Sequence, residues 1–205
     1  MSRVLYLHGF ASGPASNKAR FFRDRISNLE IPDLADNNFE ALTITSQLRV
    51  IGRAAGGEPV LLIGSSMGGY LAALYAARHP EVARVVLMAP AFGFARRWLE
   101  RLGPQQVAQW RETGHMEVFH YADNRTRRLG YQLLEDGARY EDYPDFSQPA
   151  LIFHGAHDDV VPAAYSREFA ATHPNAQLEI LDSGHDLLNV LEYVASKTIQ
   201  YLQPR

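Results

Sequence analysis

Short apolar runs alternate along the chain with longer segments in which apolar residues recur every three or four positions. The runs are typical of strands that are buried on both faces, and the longer segments are typical of amphipathic helices. We predict strands at residues 4–8, 31–34, 60–63, 84–89, 150–154 and 178–181. Strands that alternate with helices form a mostly parallel sheet with helices on both sides, so the sequence predicts an α/β fold with about six strands.

The predicted helices end at residues that disfavour helical backbone. We predict helices at residues 16–29, 44–55, 69–78 and 187–201. The second ends at Gly56-Gly57, because glycine commonly closes a helix. The third, which is rich in alanine and leucine, ends before Pro80, because proline restricts the residue ahead of it.

The alternation is interrupted between residues 91 and 148. This segment has amphipathic pieces at residues 94–102, 104–113 and 125–136, and residues 116–121 alternate apolar and polar positions as an exposed strand does. Because the segment separates two core strands, we interpret it as a helical cap over the carboxyl edge of the sheet, where open parallel sheets bind ligands. The alternative is a packed insertion without a role in substrate binding.

Composition limits the class of protein further. The 205 residues carry a net charge of −3, which gives no overall positive field to attract nucleic acid or an acidic membrane. The chain has no cysteine, which excludes disulfides and thiolate nucleophiles and fits a reducing compartment. We find no signal peptide and no apolar stretch near the roughly 20 residues of a membrane helix. We therefore expect one cytoplasmic domain, residues 1–205, that binds no nucleic acid; its oligomeric state is not indicated.

The segment Gly64-Ser65-Ser66-Met67-Gly68 fits the pattern G-x-S-x-G and lies between a predicted buried strand and a predicted helix. A strand that turns sharply into a helix at a serine is a nucleophile elbow. The turn is tight, which explains the glycines at both ends of the pattern. Ser66 would then lie at a helix N-terminus, where the dipole and free N–H groups favour developing negative charge. A structural glycine-rich turn is the alternative.

A serine nucleophile needs a base, and the base needs a carboxylate to orient it. After an elbow of this kind the acid comes first and the histidine second, each on a loop after a later strand. His185 follows the last predicted strand and is the one histidine of eight with that position. Asp158 and Asp159 follow the preceding strand, and the order of the residues leaves both as candidates for the acid.

An oxyanion hole normally uses the N–H of the residue after the nucleophile and one N–H from the loop after an early strand. Here these are the N–H groups of Met67 and Phe10, because Gly9 allows the loop to turn the Phe10 N–H inward. His8 is either a second base or, as we expect, a residue that holds this loop through hydrogen bonds.

Several motifs resemble those of one family. Leu5–Phe10, followed by Ser12, Pro14, Ser16 and Lys18-Ala19, and the segment Gly64–Tyr70 are similar to the small bacterial YqiA-type esterases of the α/β-hydrolase superfamily. His154-Gly155, Asp158, Val161-Pro162 and Ser183–His185 resemble the acid and base loops of that superfamily. The resemblance implies the α/β-hydrolase fold and a cofactor-free esterase acting on short acyl esters. Alignment with its H-G-x-x-D-x-x-V-P pattern selects Asp158 as the acid.

These features together predict a serine hydrolase that cleaves a small-molecule carboxylic ester with a short to medium acyl chain. It would use Ser66, His185 and Asp158 through an acyl-enzyme, without a metal or an organic cofactor. Phe92 and Phe94, after the strand that ends at residue 89, would either contact the acyl chain or pack in the core. The alternatives are a thioesterase, peptidase or carbon–carbon hydrolase on the same triad, and a non-catalytic binding protein that retains the fold.

Overall fold

A computed structural model describes residues 3–203 of the protein. The strands are β1 (Arg3–Leu7), β2 (Leu29–Glu30), β3 (Val60–Ser65), β4 (Val82–Met88), β5 (His115–His120), β6 (Arg125–Gly130), β7 (Ala150–Gly155) and β8 (Ala176–Leu181). The helices are α1 (Asn17–Arg23), α2 (Ile44–Ala55), α3 (Met67–Ala76), α4 (Phe94–Thr113), α5 (Gln132–Gly137), α6 (Ala164–Thr172) and α7 (Leu191–Leu202). Six strands form one parallel sheet in the order β2-β1-β3-β4-β7-β8, which confirms the predicted fold class.

The core lies on both faces of this sheet, because successive side chains of a strand point to opposite sides. Leu5 of β1 and Leu62 of β3 belong to one apolar cluster, which also contains the inner faces of α2, α3 and α6. Tyr6 and Ile63, one position further along the same strands, belong to a second cluster with α1 and α7. Every residue of β3 is buried, as its continuous apolar run predicts.

The prediction of a strand at residues 31–34 is wrong. The second strand is β2, two residues earlier, where Leu29 pairs with Val4. Pro32 has no N–H for a ladder, and the Asp33 carboxylate accepts hydrogen bonds from the N–H groups of residues 35 and 37, which closes a turn. The first helix is correspondingly shorter than predicted and ends at Arg23.

The segment from 91 to 148 is inserted between β4 and β7 and contains α4, β5, β6 and α5. Gly103 has a φ of 72° and kinks α4 just before Pro104, at the boundary between the two predicted amphipathic pieces. The predicted exposed strand is β5, which forms an antiparallel hairpin with β6. The third amphipathic piece divides into β6 and α5, because the partner strand β5 supplies the hydrogen bonds that hold residues 125–130 extended.

The tip of this hairpin packs on the loop after β1. The N–H of Tyr121 donates to the Ala11 carbonyl over 2.8 Å. Gly13 lies against Ala122, since a Cβ at position 13 would stand 3.2 Å from the alanine methyl. The insertion is thereby joined to the loop that follows the first strand. Within residues 3–203, no helix is long and apolar enough to cross a membrane.

Candidate active site

Ser66 lies at a sharp turn between β3 and α3. Its φ of 54° and ψ of −116° fall outside the ordinary regions for a residue with a Cβ. The surrounding backbone holds this conformation, because the Ser66 N–H donates to the Met88 carbonyl over 2.8 Å and the Ser66 carbonyl accepts from the Ala91 N–H over 3.0 Å. A strained serine between a strand and a helix is the geometry of a nucleophile elbow.

Two glycines make this turn possible. A Cβ on Gly64 would collide with the carbonyl oxygen of Gly68, and a Cβ on Gly68 would collide with the carbonyl oxygen of Leu7. These neighbours are backbone atoms of α3 and β1 and cannot move aside as a flexible side chain would. The spacing of the G-x-S-x-G pattern therefore has a direct steric cause here.

The side chains of Ser66, His185 and Asp158 are connected by hydrogen bonds in series. His185 Nε2 lies 3.0 Å from Ser66 Oγ, and His185 Nδ1 lies 2.7 Å from Asp158 Oδ2. An ionised carboxylate only accepts hydrogen bonds, so Nδ1 carries the proton and Nε2 accepts from the serine hydroxyl. The three residues come from loops after β3, β7 and β8, whose carboxyl ends meet at one edge of the parallel sheet.

Both carboxylate oxygens of Asp158 have hydrogen-bond partners that hold the side chain in place. Oδ1 accepts from the N–H groups of Val160 and Val161 over 2.9 and 2.7 Å, and Oδ2 lies 3.1 Å from His154 Nε2. Burial by itself would raise the pKa of this carboxyl. The hydrogen bonds from His154, His185 and Val161 outweigh burial and hold the pKa well below its usual range. The group is therefore an ionised acceptor at neutral pH.

His154 supports this arrangement from inside the protein and was not singled out as a separate residue by the sequence. Its ring is fully buried, and Nδ1 lies 2.7 Å from Ser166 Oγ while Nε2 lies 2.8 Å from the Val161 carbonyl. It is the first residue of the H-G-x-x-D pattern, which was the available signal. Asp159, the other candidate acid, is exposed and lies on the wall of the adjoining cavity.

The loop after β1 lies directly against the nucleophile. A Cβ on Gly9 would stand 3.5 Å from Ser66 Cβ. Across the described range 3–203, the N–H of Phe10 donates to no protein acceptor. The N–H of Met67, the first residue of α3, has no acceptor inside its helix. Both N–H groups are thus available beside Ser66.

His8 holds this loop, as we expected. Its Nδ1 donates to the Gly9 carbonyl over 3.0 Å, and its Nε2 accepts from the Leu34 N–H over 3.2 Å. Burial lowers the pKa of His8, against a smaller opposing effect of the bond to Gly9. The ring therefore acts as a neutral connector between the loop and the turn that follows β2.

A cavity of about 1250 Å³ opens beside Ser66 and His185. One of its walls is apolar and comes from the loop after β1, from α4 and from β5: Phe10, Trp98, Leu102, Met116 and Val118. Its margin carries exposed apolar side chains: Phe119, Tyr121, Val160 and Leu188. Such a cavity can hold an apolar chain with its carbonyl at the serine.

Phe92 and Phe94 pack in the core and do not line the cavity. Phe92 is fully buried and stacks on Phe169 of α6 with ring centroids 4.5 Å apart. Phe94 is buried against Tyr70 and Trp98. Neither is among the residues that line the cavity, whereas Trp98 lines it from the same helix as Phe94.

In residues 3–203 we find no group of three or more His, Asp or Glu side chains arranged to hold a metal ion.

Solved structures share this fold at low sequence identity. The α/β hydrolase domain-containing protein 10 from mouse has a TM-score of 0.77 at 17% identity, covering 97% of this chain and 88% of that chain. Est1E from Butyrivibrio proteoclasticus has a TM-score of 0.73 at 18% identity, covering 97% and 87%. The structure of LipS and LipT, two metagenome-derived lipolytic enzymes, has a TM-score of 0.73 at 20% identity, covering 98% and 93%. These similarities establish the α/β-hydrolase fold.

No curated protein matches the chain significantly. A family model does match it, over residues 3–202, and this family corresponds to the resemblance drawn from the sequence motifs. The matched range includes the elbow, both later loops and the whole insertion. The chain therefore belongs to the Uncharacterised protein family (UPF0227), with the α/β-hydrolase fold that its sequence predicts.

Proposed function

We propose that this protein is a serine esterase that hydrolyses carboxylic esters with short to medium acyl chains. The observation that carries the proposal is the hydrogen-bonded series Ser66–His185–Asp158 beside a cavity with an apolar wall. Ser66 Oγ attacks the ester carbonyl carbon while His185 Nε2 takes the hydroxyl proton, and Asp158 stabilises the imidazolium that forms. The histidine then gives that proton to the departing alkoxide, which leaves an acyl group on Ser66.

Water completes the reaction by the same route. His185 accepts a proton from water, the hydroxide adds to the acyl carbon, and the return of the proton to Ser66 Oγ releases the acid. The negative charge on the carbonyl oxygen is stabilised by the N–H groups of Met67 and Phe10, which have no competing acceptor among residues 3–203. Removing one donor of this kind typically costs a factor of about 100 to 1000 in kcat. No step requires a metal or an organic cofactor.

The insertion between β4 and β7 supports the choice of an apolar acyl group. Its helix α4 contributes Trp98 and Leu102 to the cavity wall, so we propose that residues 91–148 act as a cap that selects the substrate. The LipS and LipT enzymes, which share the fold, are described as lipolytic. Ester hydrolysis is the reaction that we propose for this chain.

The test uses a neutral fluorophosphonate and a series of p-nitrophenyl esters on the purified protein. We expect wild type to be labelled on Ser66 and to hydrolyse the esters, and Ser66→Ala to lose both while keeping its melting temperature. Ser65→Ala is the matched control, because it removes the neighbouring hydroxyl and leaves the Ser66–His185 hydrogen bond. Labelling that persists in Ser66→Ala and disappears in Ser65→Ala would refute the assignment of the nucleophile.

A second measurement tests the reaction class. Matched oxygen ester, thioester and amide substrates with the same acyl group should give the highest kcat/KM for the oxygen ester. A thioester or amide preferred by more than about tenfold would replace the esterase proposal with a thioesterase or peptidase on the same residues.

A further inference from the structure

Lys18 brings a positive charge into the cavity that contains Ser66. Its ammonium nitrogen donates to Ser65 Oγ over 3.1 Å, and both residues line the cavity. The Ser65 hydroxyl is buried and also hydrogen-bonds with the Tyr6 hydroxyl, which projects from the central strand β1. The ammonium is therefore held at a defined position, one residue away from the proposed nucleophile.

This ammonium has no carboxylate partner among residues 3–203. No ion pair in that range includes Lys18, and its contact with Ser65 uses one of its three N–H donors. Burial lowers the pKa of Lys18 to about 8, against the opposing attraction of Asp186 and Asp158. A charged amine in such a position gains from any anion that reaches it through the cavity.

The two arginines that line the cavity differ from Lys18 because they are exposed to solvent. Arg20 on α1 and Arg101 on α4 are exposed, and Arg20 is already hydrogen-bonded to the Asn17 side chain over 2.7 Å. The remaining titratable groups that line the cavity or act electrostatically on Lys18 are Asp158, Asp159, Asp186, His185, Tyr121 and Tyr6. Asp158 is engaged by two histidines and two backbone N–H groups, so it is not free to neutralise the lysine.

We propose that Lys18 binds an anionic group of the substrate, so that the enzyme prefers carboxylic esters bearing a carboxylate over neutral esters of the same size. This rests on the proposed esterase function and names its substrate class. The uncharged part of the substrate lies along the wall that includes Phe10 and Trp98, while the carboxylate accepts hydrogen bonds from the two free donors of the Lys18 ammonium. Lys18 is thus a specificity-determining residue beside the reaction, not a participant in acyl transfer.

The test compares two pairs of esters, each differing only in charge. Mono-p-nitrophenyl adipate and p-nitrophenyl hexanoate place the carboxylate or a methyl group on the acyl side. The hexanoate esters of 4-hydroxybenzoate and 4-hydroxybenzamide place a carboxylate or an amide on the alcohol side. The quantity measured is the ratio of kcat/KM for the anionic ester to that for its neutral partner, and the pair with the larger ratio shows on which side the anion is carried.

Lys18→Met should lower the ratio about 10- to 100-fold, mainly through KM, since a hydrogen bond to a charged group is lost. Lys18→Arg should retain most of the preference, because it restores the charge. Arg20→Gln is the matched control on the same helix and should change the ratio less than about threefold, since its charge is exposed and screened.

The pH dependence supplies a readout that a structural role would not give. The anionic preference of wild type should be full below pH 7 and fall as the pH rises through about 8, because Lys18 loses its charge there. Any ionisation that affects both esters of a pair equally cancels in the ratio. This profile uses wild-type protein, so it decides the question even where a Lys18 variant fails to fold.

A wild-type ratio of one at all pH values, or the same ratio in Lys18→Met as in wild type, would overturn the assignment of Lys18 and leave the esterase proposal intact. Ester hydrolysis that survives in Ser66→Ala would instead overturn the esterase proposal. The two failures are therefore distinguishable with the same set of substrates.

Discussion

Replacing Asp158 by asparagine changes one atom of the side chain and tests the proposed triad most directly. Oδ1 accepts from two backbone N–H groups, those of Val160 and Val161, at 2.9 and 2.7 Å. An amide in this position keeps both bonds when its oxygen faces those N–H groups. Its NH₂ group must then face His185 Nδ1, at the place where the carboxylate oxygen accepts a bond of 2.7 Å in wild type.

The consequence is a change of histidine tautomer. An NH₂ group donates, so Nδ1 must become the acceptor and the proton moves to Nε2, which then cannot take the proton of Ser66. Loss of the correct tautomer in a serine triad lowers kcat by roughly 10,000-fold. We therefore expect Asp158→Asn to lose about 1,000- to 10,000-fold in kcat/KM, with the fold retained, since His154 Nε2 still has the Val161 carbonyl as a partner.

The assay is hydrolysis of a neutral p-nitrophenyl ester, together with ¹⁵N spectra of the histidine rings and a thermal melt. Asp159→Asn is the matched control and should reduce kcat/KM less than about threefold, because the exposed Asp159 carboxylate lies outside the hydrogen-bonded series. A larger loss at position 159 than at 158 would refute this reasoning. So would an Asp158→Asn protein that keeps most of its activity with the proton still on Nδ1.

Two other predictions concern the elbow and the cap. Gly68→Ala should lower the melting temperature by roughly 2–12 °C and reduce activity, since its Cβ meets the Leu7 carbonyl and overpacking costs about 1–3 kcal/mol. Gly52→Ala is the control, because its Cβ has room, and it should leave the melting temperature unchanged or raise it. Trp98→Ala should shift the acyl-chain preference across a p-nitrophenyl ester series by roughly tens-fold, and an unchanged profile in folded protein would make the cap merely structural. Phe92→Ala in the same series separates the two interpretations of that residue, because loss of core packing alone lowers the melting temperature without moving the chain-length profile.

The elbow could be predicted from the sequence because its determinants are local. The close approach of Gly64 to Gly68 lies within the turn itself, although Gly68 also meets the Leu7 carbonyl of β1. The strand before the turn and the helix after it have strong signals of their own. The position of His185 follows from the order of strands in a parallel sheet, which brings the ends of β3, β7 and β8 to one edge. A choice between Asp158 and Asp159 required the pattern of a whole superfamily, because a shift of one residue leaves the strand order unchanged.

What could not be predicted depends on contacts between distant segments. The strand β2 is two residues long, and its position is decided by pairing with β1 rather than by its own composition. Phe92 follows a core strand, as a substrate contact could, but α6 provides Phe169 as its stacking partner. Lys18 is visible in the sequence only as part of a family motif, since its hydrogen bond to Ser65, the neighbour of the proposed nucleophile, spans 47 positions of the chain.

The residues proposed for the chemistry and most of those that line the cavity lie in different parts of the fold, so substrate preference can change separately from the chemistry. The proposed nucleophile lies on a turn whose backbone is constrained by close approaches at Gly64 and Gly68, where a side chain would collide with neighbouring backbone. Much of the cavity wall comes instead from α1, α4 and β5, which lie outside the ladder of the main sheet. Substitutions at Lys18 or Trp98 can therefore alter charge and chain-length preference while the hydrogen-bonded series stays in place, because neither side chain contributes to it.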